Sequence, residues 1–421
     1  MSATDQKSGK KTSIVPDPNG SGRWFSISLI IACQIAAMAL WFSASAAVPS
    51  LLDADQLSTD AAAALTSAVQ LGFVAGTLAS AVFGLADRFD SRALFSAAAL
   101  LGASLNAALL LTGFDHPMAP VLRFATGVCM AGVYPVGMKL AAGWAAGNMG
   151  LLMGALVGAV TLGSAMPHLF YAFVSVGWQI PVALASGCAL AAAVTIQFVQ
   201  LGPKHAKSMS FHWSDLKALF RNKPILLAQG GYLGHMWELY AMWAWLGSFL
   251  AWALPASGLQ IELGHASISL ITFLVMATGA IGCLLAGLIA DRVGRTLTTV
   301  GALLLSGGCA LLIGFSVDAG PVVVILIATV WGMTVVADSA QFSAAMAELA
   351  EPRLIGTVLT LQTSLGFLLT AGSIWLIGQI SDAVGWRYAF IMLAIGPLLG
   401  ALSMLTLRRQ PEAIKMAGGR R

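Results

Sequence analysis

The stretch Gly287-Leu-Ile-Ala-Asp291-Arg292-Val-Gly294-Arg295 packs three charges and a turn-forming glycine between two apolar runs, Ser267–Ala290 and Leu297–Phe315. An earlier version, Phe83-Gly84-Leu-Ala-Asp87-Arg88-Phe-Asp90-Ser91-Arg92, also lies between apolar runs. Asp291 follows Asp87 by 204 residues (291 − 87), close to half of a 421-residue chain. A charged hinge repeated at half-length in a greasy chain signals internal duplication, and the repeat sets the frame for every other element.

Composition supplies the solvent. Hydrophobic residues make up 58% of the chain and charged residues 10%, against about 25% charged in soluble domains. So few charges cannot cover so much apolar chain in water, which makes lipid the surrounding medium. About 20 apolar residues cross a bilayer core as a helix. By that rule twelve spans are expected, near 24–48, 61–85, 92–113, 117–142, 148–172 and 179–201, then 225–253, 265–290, 296–316, 321–346, 355–379 and 386–407. The expected domains are a disordered N-terminus (1–23), a six-helix bundle (24–201), a linker (202–224), a second bundle (225–407) and a basic tail (408–421). Within the linker, Phe211–Phe220 reads as an amphipathic piece lying on the membrane face.

The net charge of +4 does not point to nucleic acid, because the basic residues segregate by side. Lys7, Lys10, Lys11 and Arg23 precede the first run; Lys204, Lys207, Lys217, Arg221 and Lys223 fall in or beside the central loop; Arg408, Arg409, Lys415, Arg420 and Arg421 lie in the tail. With an even number of crossings these share one face with both hinges. Asp53, Asp55, Asp60, Asp115, Glu262, Asp318 and Asp382 occupy the other, with Arg387 the exception. The positive-inside rule then puts both termini in the cytoplasm. No cleavable signal peptide is evident, and the expected location is the cytoplasmic (inner) membrane. Five cysteines scattered inside apolar runs have neither disulfide-framework nor metal-ligand spacing and read as packing residues.

The doubled hinge resembles the loop signature of the major facilitator superfamily, Gly-x-x-x-Asp-Arg-x-Gly-Arg, which lies between helices 2 and 3 with an echo between helices 8 and 9. The second copy here is the better match. The first has Phe83 at the opening glycine, Asp90 at the loop glycine and Ser91 at the first basic position. The resemblance in layout runs from Trp24 to Leu407. It implies an all-α membrane protein of twelve helices in two six-helix bundles related by pseudo-two-fold symmetry, with a substrate site at the midplane between them. It also assigns gating or structural roles to Asp87, Arg88, Asp291, Arg292, Gly294 and Arg295.

Ionisable side chains at membrane depth cost about 2.5–3.5 kcal/mol or more and ask for a reason. Those found are Arg123 and Lys139 on span 4, His168 on span 5, His235 and Glu238 on span 7 and Asp338 on span 10. In the resembled family, helices 1, 4, 7 and 10 line the cavity. A rise of about 1.5 Å per residue puts Arg123 and Glu238 at similar depth in the outer half, and Lys139 and Asp338 both in the cytoplasmic third. Two cross-cavity pairs are therefore expected, Arg123 with Glu238 and Lys139 with Asp338, which cannot both be closed at once. Arg123-Phe-Ala-Thr-Gly127 also resembles the family's helix 4 motif, whose arginine is associated with proton handling in exporters. Snorkelling to the headgroups is the competing reading for Arg123 and Lys139.

Glu238 and His235 are three apart and share a helix face with Tyr232 and Met242. A carboxyl beside an imidazole is a candidate proton or cation site. Trp237, Tyr240, Trp243 and Trp245 surround them, with half of the rings expected to face lipid or the aromatic belt. Gln341 joins Asp338 in a polar patch; Gln34, Gln70, Asn106 and Gln362 read as interhelical hydrogen-bonders, and His168 as interfacial. No Walker-type glycine loop, zinc motif or nucleophile–base set is visible. A secondary active transporter for a small organic solute is expected. The pattern calls for no enzyme chemistry and no cofactor, and a proton or another ion supplies the energy. An uncoupled uniporter and a transporter-fold receptor without turnover are the alternatives. The expected partners are the solute, protons and membrane lipid, with no nucleic acid, and the chain is expected to act as a monomer.

Overall fold

In a computed structural model the described residues are 21–144, 149–174, 177–203, 222–259, 263–351 and 354–421. The N-terminal segment 1–20, Glu262 and the linker piece 204–221, with its Phe211–Phe220 stretch, lie outside them. Among the described residues every regular element is a helix. Eleven are long and apolar enough to cross a membrane, and a twelfth crossing, the first, is divided.

We number the crossings as spans. Span 1 is Ser21–Met38, extended past an irregular stretch at 39–44 by short helices Ser45–Ala47 and Val48–Asp53. Spans 2 to 6 are Thr59–Phe83, Ser91–Thr112, Met118–Ala142, Leu152–Val174 and Gln179–Phe198. Spans 7 to 12 are Lys223–Ala256, His265–Val293, Arg295–Leu312, Pro321–Leu349, Ile355–Val384 and Trp386–Arg408. The expected spans are all present. The difference is that spans 4 and 10 are also interrupted, at 131–133 and at 335–338. In span 4 the cause is local: Pro135, which opens the helix Tyr134–Ala142, has no N–H to continue the ladder upstream.

Spans 1–6 and spans 7–12 meet along two seams of small residues, span 2 against span 11 and span 5 against span 8. At the second, a Cβ on Gly154 would stand 3.2 Å from the Cys283 carbonyl and one on Gly158 would stand 3.4 Å from Ala280 Cβ. At the first, the ends facing away from the termini are tied together. Thr59 Oγ1 donates to Asp382 (3.0 Å) and Gln379 Nε2 to Asp60 (2.5 Å). Deeper in the same seam, Ser67 Oγ donates to the Ala371 carbonyl at 3.2 Å. Between the seams the rings of Trp41, Phe42 and Phe73 pack onto Tyr240, Trp243 and Phe367, with centroids 4.5–6.1 Å apart.

The two hinges make their turns differently. In the second, Gly294 has φ 95° and both neighbouring helices end on it, a conformation that favours glycine. In the first, the left-handed residue is Gly84 (φ 60°), well before the Ser91-Arg92 pair. Asp90 has φ −58° and caps span 3, accepting from the Arg92 N–H at 2.8 Å. It also accepts from the Arg92 guanidinium at 2.9–3.1 Å, and that hydrogen bond holds its carboxyl down at about 2. The substitution at the loop-glycine position is thus a helix cap.

At the termini face the tail folds back as Pro411–Gly419 with Ala413 and Met416 fully buried. Its Ala417 N–H donates to Glu348 (3.1 Å), and Arg420 donates to the Asp291 carbonyl (2.6 Å). The Arg421 carbonyl accepts from the Thr296 N–H and hydroxyl. The second hinge is therefore covered by the tail.

Candidate functional site

Span 7 carries most of the site. It is apolar on all sides and interior: Tyr232, Tyr240, Trp243 and Trp245 are buried, and Trp237 is half-buried with its indole donating to the Met392 carbonyl at 3.2 Å. This corrects the expectation that half of these rings face lipid. A helix with apolar residues on most of its faces belongs in the interior of a bundle, and neighbouring spans cover most of this one.

From span 7, His235 and Glu238 point to span 10 and span 9. His235 Nδ1 lies 2.8 Å from Asp338 Oδ1, with both side chains 1% exposed. Asp338 sits at the interruption of span 10, immediately before the helix Ser339–Leu349. The interruption itself brings that carboxyl to the imidazole. Both nitrogens of His235 and both carboxyl oxygens of Asp338 lack an aligned hydrogen-bond partner among the described residues, so the contact is a close approach and not an aligned hydrogen bond. One turn further along span 7, Glu238 accepts from Ser306 Oγ (2.8 Å) and Trp331 Nε1 (2.7 Å). Both donors are neutral, and no cationic side chain among the described residues pairs with this carboxyl. Tyr232 and Phe342 close the cluster, with the Phe342 ring 5.5 Å from the imidazole and 6.1 Å from the Tyr232 ring.

Arg123 does not join them. It is fully buried within the first half. Its Nη1 donates to the Leu40 carbonyl (2.9 Å), Ser43 Oγ (3.0 Å) and Asn106 Oδ1 (3.0 Å), and its Nη2 to the Trp41 carbonyl (2.5 Å). The irregular stretch of span 1 frees these carbonyls from the helix ladder, and at membrane depth they need donors. Asn106 extends the network to Ser186 on span 6 at 3.0 Å. The expected Arg123–Glu238 pair is thus replaced by two separate networks, one in each half. Depth along a helix fixed the height of these groups but not the face they occupy, and each found partners inside its own half.

The expected Lys139–Asp338 pair is also replaced. Lys139 Nζ donates to the Ala86 carbonyl in the first hinge at 2.6 Å, while Asp338 faces His235. The position of Lys139, one turn from the end of its helix, carries its side chain to the loop. Arg295 makes a two-pronged contact with Glu348 (2.7 and 2.5 Å) and donates to Gln341 Oε1 at 2.8 Å. Gln341, expected in a polar patch with Asp338, is thereby tied to the hinge. Gly294 abuts the tail, Asp291 offers its carbonyl to Arg420, and Arg292 is exposed. His168 is buried at 2% with Nε2 unpartnered among the described residues, not interfacial as expected. Span 5 continues past it to Val174, and its ring packs near Gly247 of span 7.

Sequence reasoning missed Ser306, Trp331 and Glu348. Their partners lie 53–93 residues away, so no local spacing announces them. Gln34, Gln70 and Gln362 are buried with side-chain amides unpartnered among the described residues, leaving hydrogen-bonding capacity at membrane depth. Among the described residues no cluster of three or more metal-ligating side chains occurs.

The chain is an all-helical, multi-pass membrane protein whose interior holds a small set of polar side chains. The sequence pattern of the Major Facilitator Superfamily matches residues 30–373, and the chain belongs to that family of transporters. It is a secondary transporter and not an enzyme. The hexuronate transporter of Escherichia coli (strain K12) is 22% identical over 427 aligned positions, covering 94% of this chain and 96% of that one. The uncharacterized MFS-type transporter YfnC of Bacillus subtilis (strain 168) is 33% identical over 133 residues, about a third of each chain. Among solved structures, a bacterial homolog of the human lysosomal transporter Spinster superposes with a TM-score of 0.71 at 12% identity. That match covers 93% of this chain and 97% of the other. A point mutant of the nucleoside transporter NupG gives 0.70 at 13%, covering 90% and 99%. At these identities the structures share the fold.

Proposed function

We propose that the protein moves a small organic solute in exchange or symport with protons, and that His235, Asp338 and Glu238 form the coupling site. The observation that carries this reading is the 2.8 Å approach of His235 to Asp338 at full burial, with Glu238 one turn away and held only by neutral donors. A buried carboxyl without a cation is costly in its charged form. That cost changes when the surrounding helices move and admit water, which ties protonation to conformation. The imidazole and carboxyl in contact at that depth compensate each other, so removing either leaves the other buried without its partner.

In this reading the bundles 24–201 and 225–407 rock about the seams to open the site to each face in turn. The chain acts as a monomer in the cytoplasmic membrane with both termini in the cytoplasm, in keeping with the distribution of its basic residues. Sugar acids are the first solutes to try, because the hexuronate transporter matches over nearly its whole length. Unpartnered amides on spans 1, 2 and 11 suit a hydroxyl-rich molecule.

The test uses proteoliposomes with a pH-sensitive dye inside and galacturonate, glucuronate and neutral sugars added outside. The expected result is proton movement that follows solute flux, lost in Glu238→Gln and Asp338→Asn while solute binding persists. Solute flux with no proton movement and no response to an imposed pH gradient would overturn the coupling and leave a uniporter; binding without flux would leave a receptor.

A further inference from the structure

At the face opposite the termini, a cavity of about 600 Å³ opens between the two halves. Asp53 and Asp55 contribute from the end of span 1 and Asp382 from span 11, and among the described residues no lysine or arginine lines it. Trp252 and Trp386 form its aromatic wall, stiffened by Phe249, whose ring lies 5.8 Å from the first and 6.5 Å from the second. Carboxylates at a membrane protein's surface are common and would by themselves say nothing about a ligand. Here a second observation points inward. Ser248 of span 7 lines the same cavity, is only 7% exposed, and its hydroxyl has no partner among the described residues. A helical serine in lipid ordinarily returns its proton to a carbonyl of the preceding turn, as Thr272 does to Ile268. Ser248 makes no such bond, and its hydroxyl is left unpartnered at the cavity wall.

The existing partners of the carboxylates leave room for a cation. Asp382 accepts from the Thr59 hydroxyl through one oxygen. Asp53 lies 3.6 Å from His265 Nε2, which has no fixed charge unless protonated. We propose that this cavity is a binding site for an organic cation bearing a flat apolar group, with the ammonium among Asp53, Asp55 and Asp382 and the apolar group against Trp252 and Trp386. Carboxylates gathered in a concave mouth raise the local concentration of cations, and tryptophan faces hold ammonium groups. A cavity of this volume lies in the range that takes drug-sized ligands. The site stands apart from His235, Asp338 and Glu238 and does not depend on the coupling proposed for them.

The experiment measures equilibrium binding of benzyltrimethylammonium to the full-length protein in nanodiscs of uncharged phosphatidylcholine, with phenylacetate as the anionic control. The expected result is saturable binding of the cation and none of phenylacetate. Affinity should fall about tenfold or more in the D53N/D55N/D382N variant and several-fold in Trp252→Ala and Ser248→Ala. It should also weaken between about 20 and about 300 mM salt, as expected for an exposed cluster. Undiminished binding in the triple variant and in Trp252→Ala would overturn the proposal. So would loss of binding in Glu238→Gln/Asp338→Asn with the cavity variants unaffected, since the cation would then occupy the buried cluster. Equal binding of phenylacetate would also overturn it. If the triple variant fails to fold, the two single variants decide the question.

Discussion

Arg123 shows how a single side chain can hold a broken helix in a membrane. Its guanidinium supplies donors to the Leu40 and Trp41 carbonyls and to the Ser43–Asn106 pair, groups that lipid cannot satisfy. Arg123→Ala would orphan several buried acceptors at once, each worth about 1–3 kcal/mol when left unsatisfied. The expected outcome is a loss of about 3 kcal/mol or more, read as a lower midpoint of thermal unfolding in detergent. Arg123→Lys, which keeps the charge but not the planar fork, should recover only part of it. A wild-type midpoint in Arg123→Ala would show that span 1 does not need this donor. The sequence made Arg123 conspicuous as a charge at depth, yet it could not reveal that the ligands of that charge are main-chain carbonyls. Glu238 was equally visible, and its partners Ser306 and Trp331 were not, because hydroxyl and indole groups in apolar runs carry no spacing signal.

At the scale of elements, spans 2 and 4 touch through glycine. A Cβ on Gly127 would stand 2.1 Å from the Val69 carbonyl, and one on Gly72 would stand 1.9 Å from the Phe124 carbonyl. Backbone cannot swing aside as a side chain does, so the spans must separate to admit a methyl group. Gly127→Ala is expected to destabilise by about 1–3 kcal/mol through overpacking, with Gly301→Ala, which meets nothing within 4 Å, as the neutral control on the same unfolding assay. Equal midpoints for both would remove the close crossing. The span pattern was legible because lipid demands about twenty apolar residues per crossing. The interruptions were not read from the sequence: Pro135 follows the break in span 4 and offered a local signal, whereas the break at 335–338 in span 10 has neither glycine nor proline within it. That break positions Asp338, so the feature that builds the site was the one the sequence concealed.

For the whole molecule, the halves are joined at the ends of spans 2 and 11 that lie away from the termini, by the Thr59–Asp382 and Asp60–Gln379 contacts. The rocking motion proposed for the two bundles requires these to part. Cysteines at Asp60 and Gln379, in a background with the five native cysteines replaced, should form an adduct with a short bifunctional thiol reagent. Solute flux is then expected to fall to about a tenth or less and to return when a cleavable reagent is reduced. Full flux in the cross-linked protein would show that these ends do not separate during the cycle. The chain's tail bears on the same motion from the opposite surface. Prising Pro411–Gly419 away would expose Met416, take one donor from Glu348 and unseat the residues against Gly294. A proteolytic nick or bulky fusion there would be felt, through Glu348 and Arg295, within a few residues of Asp338.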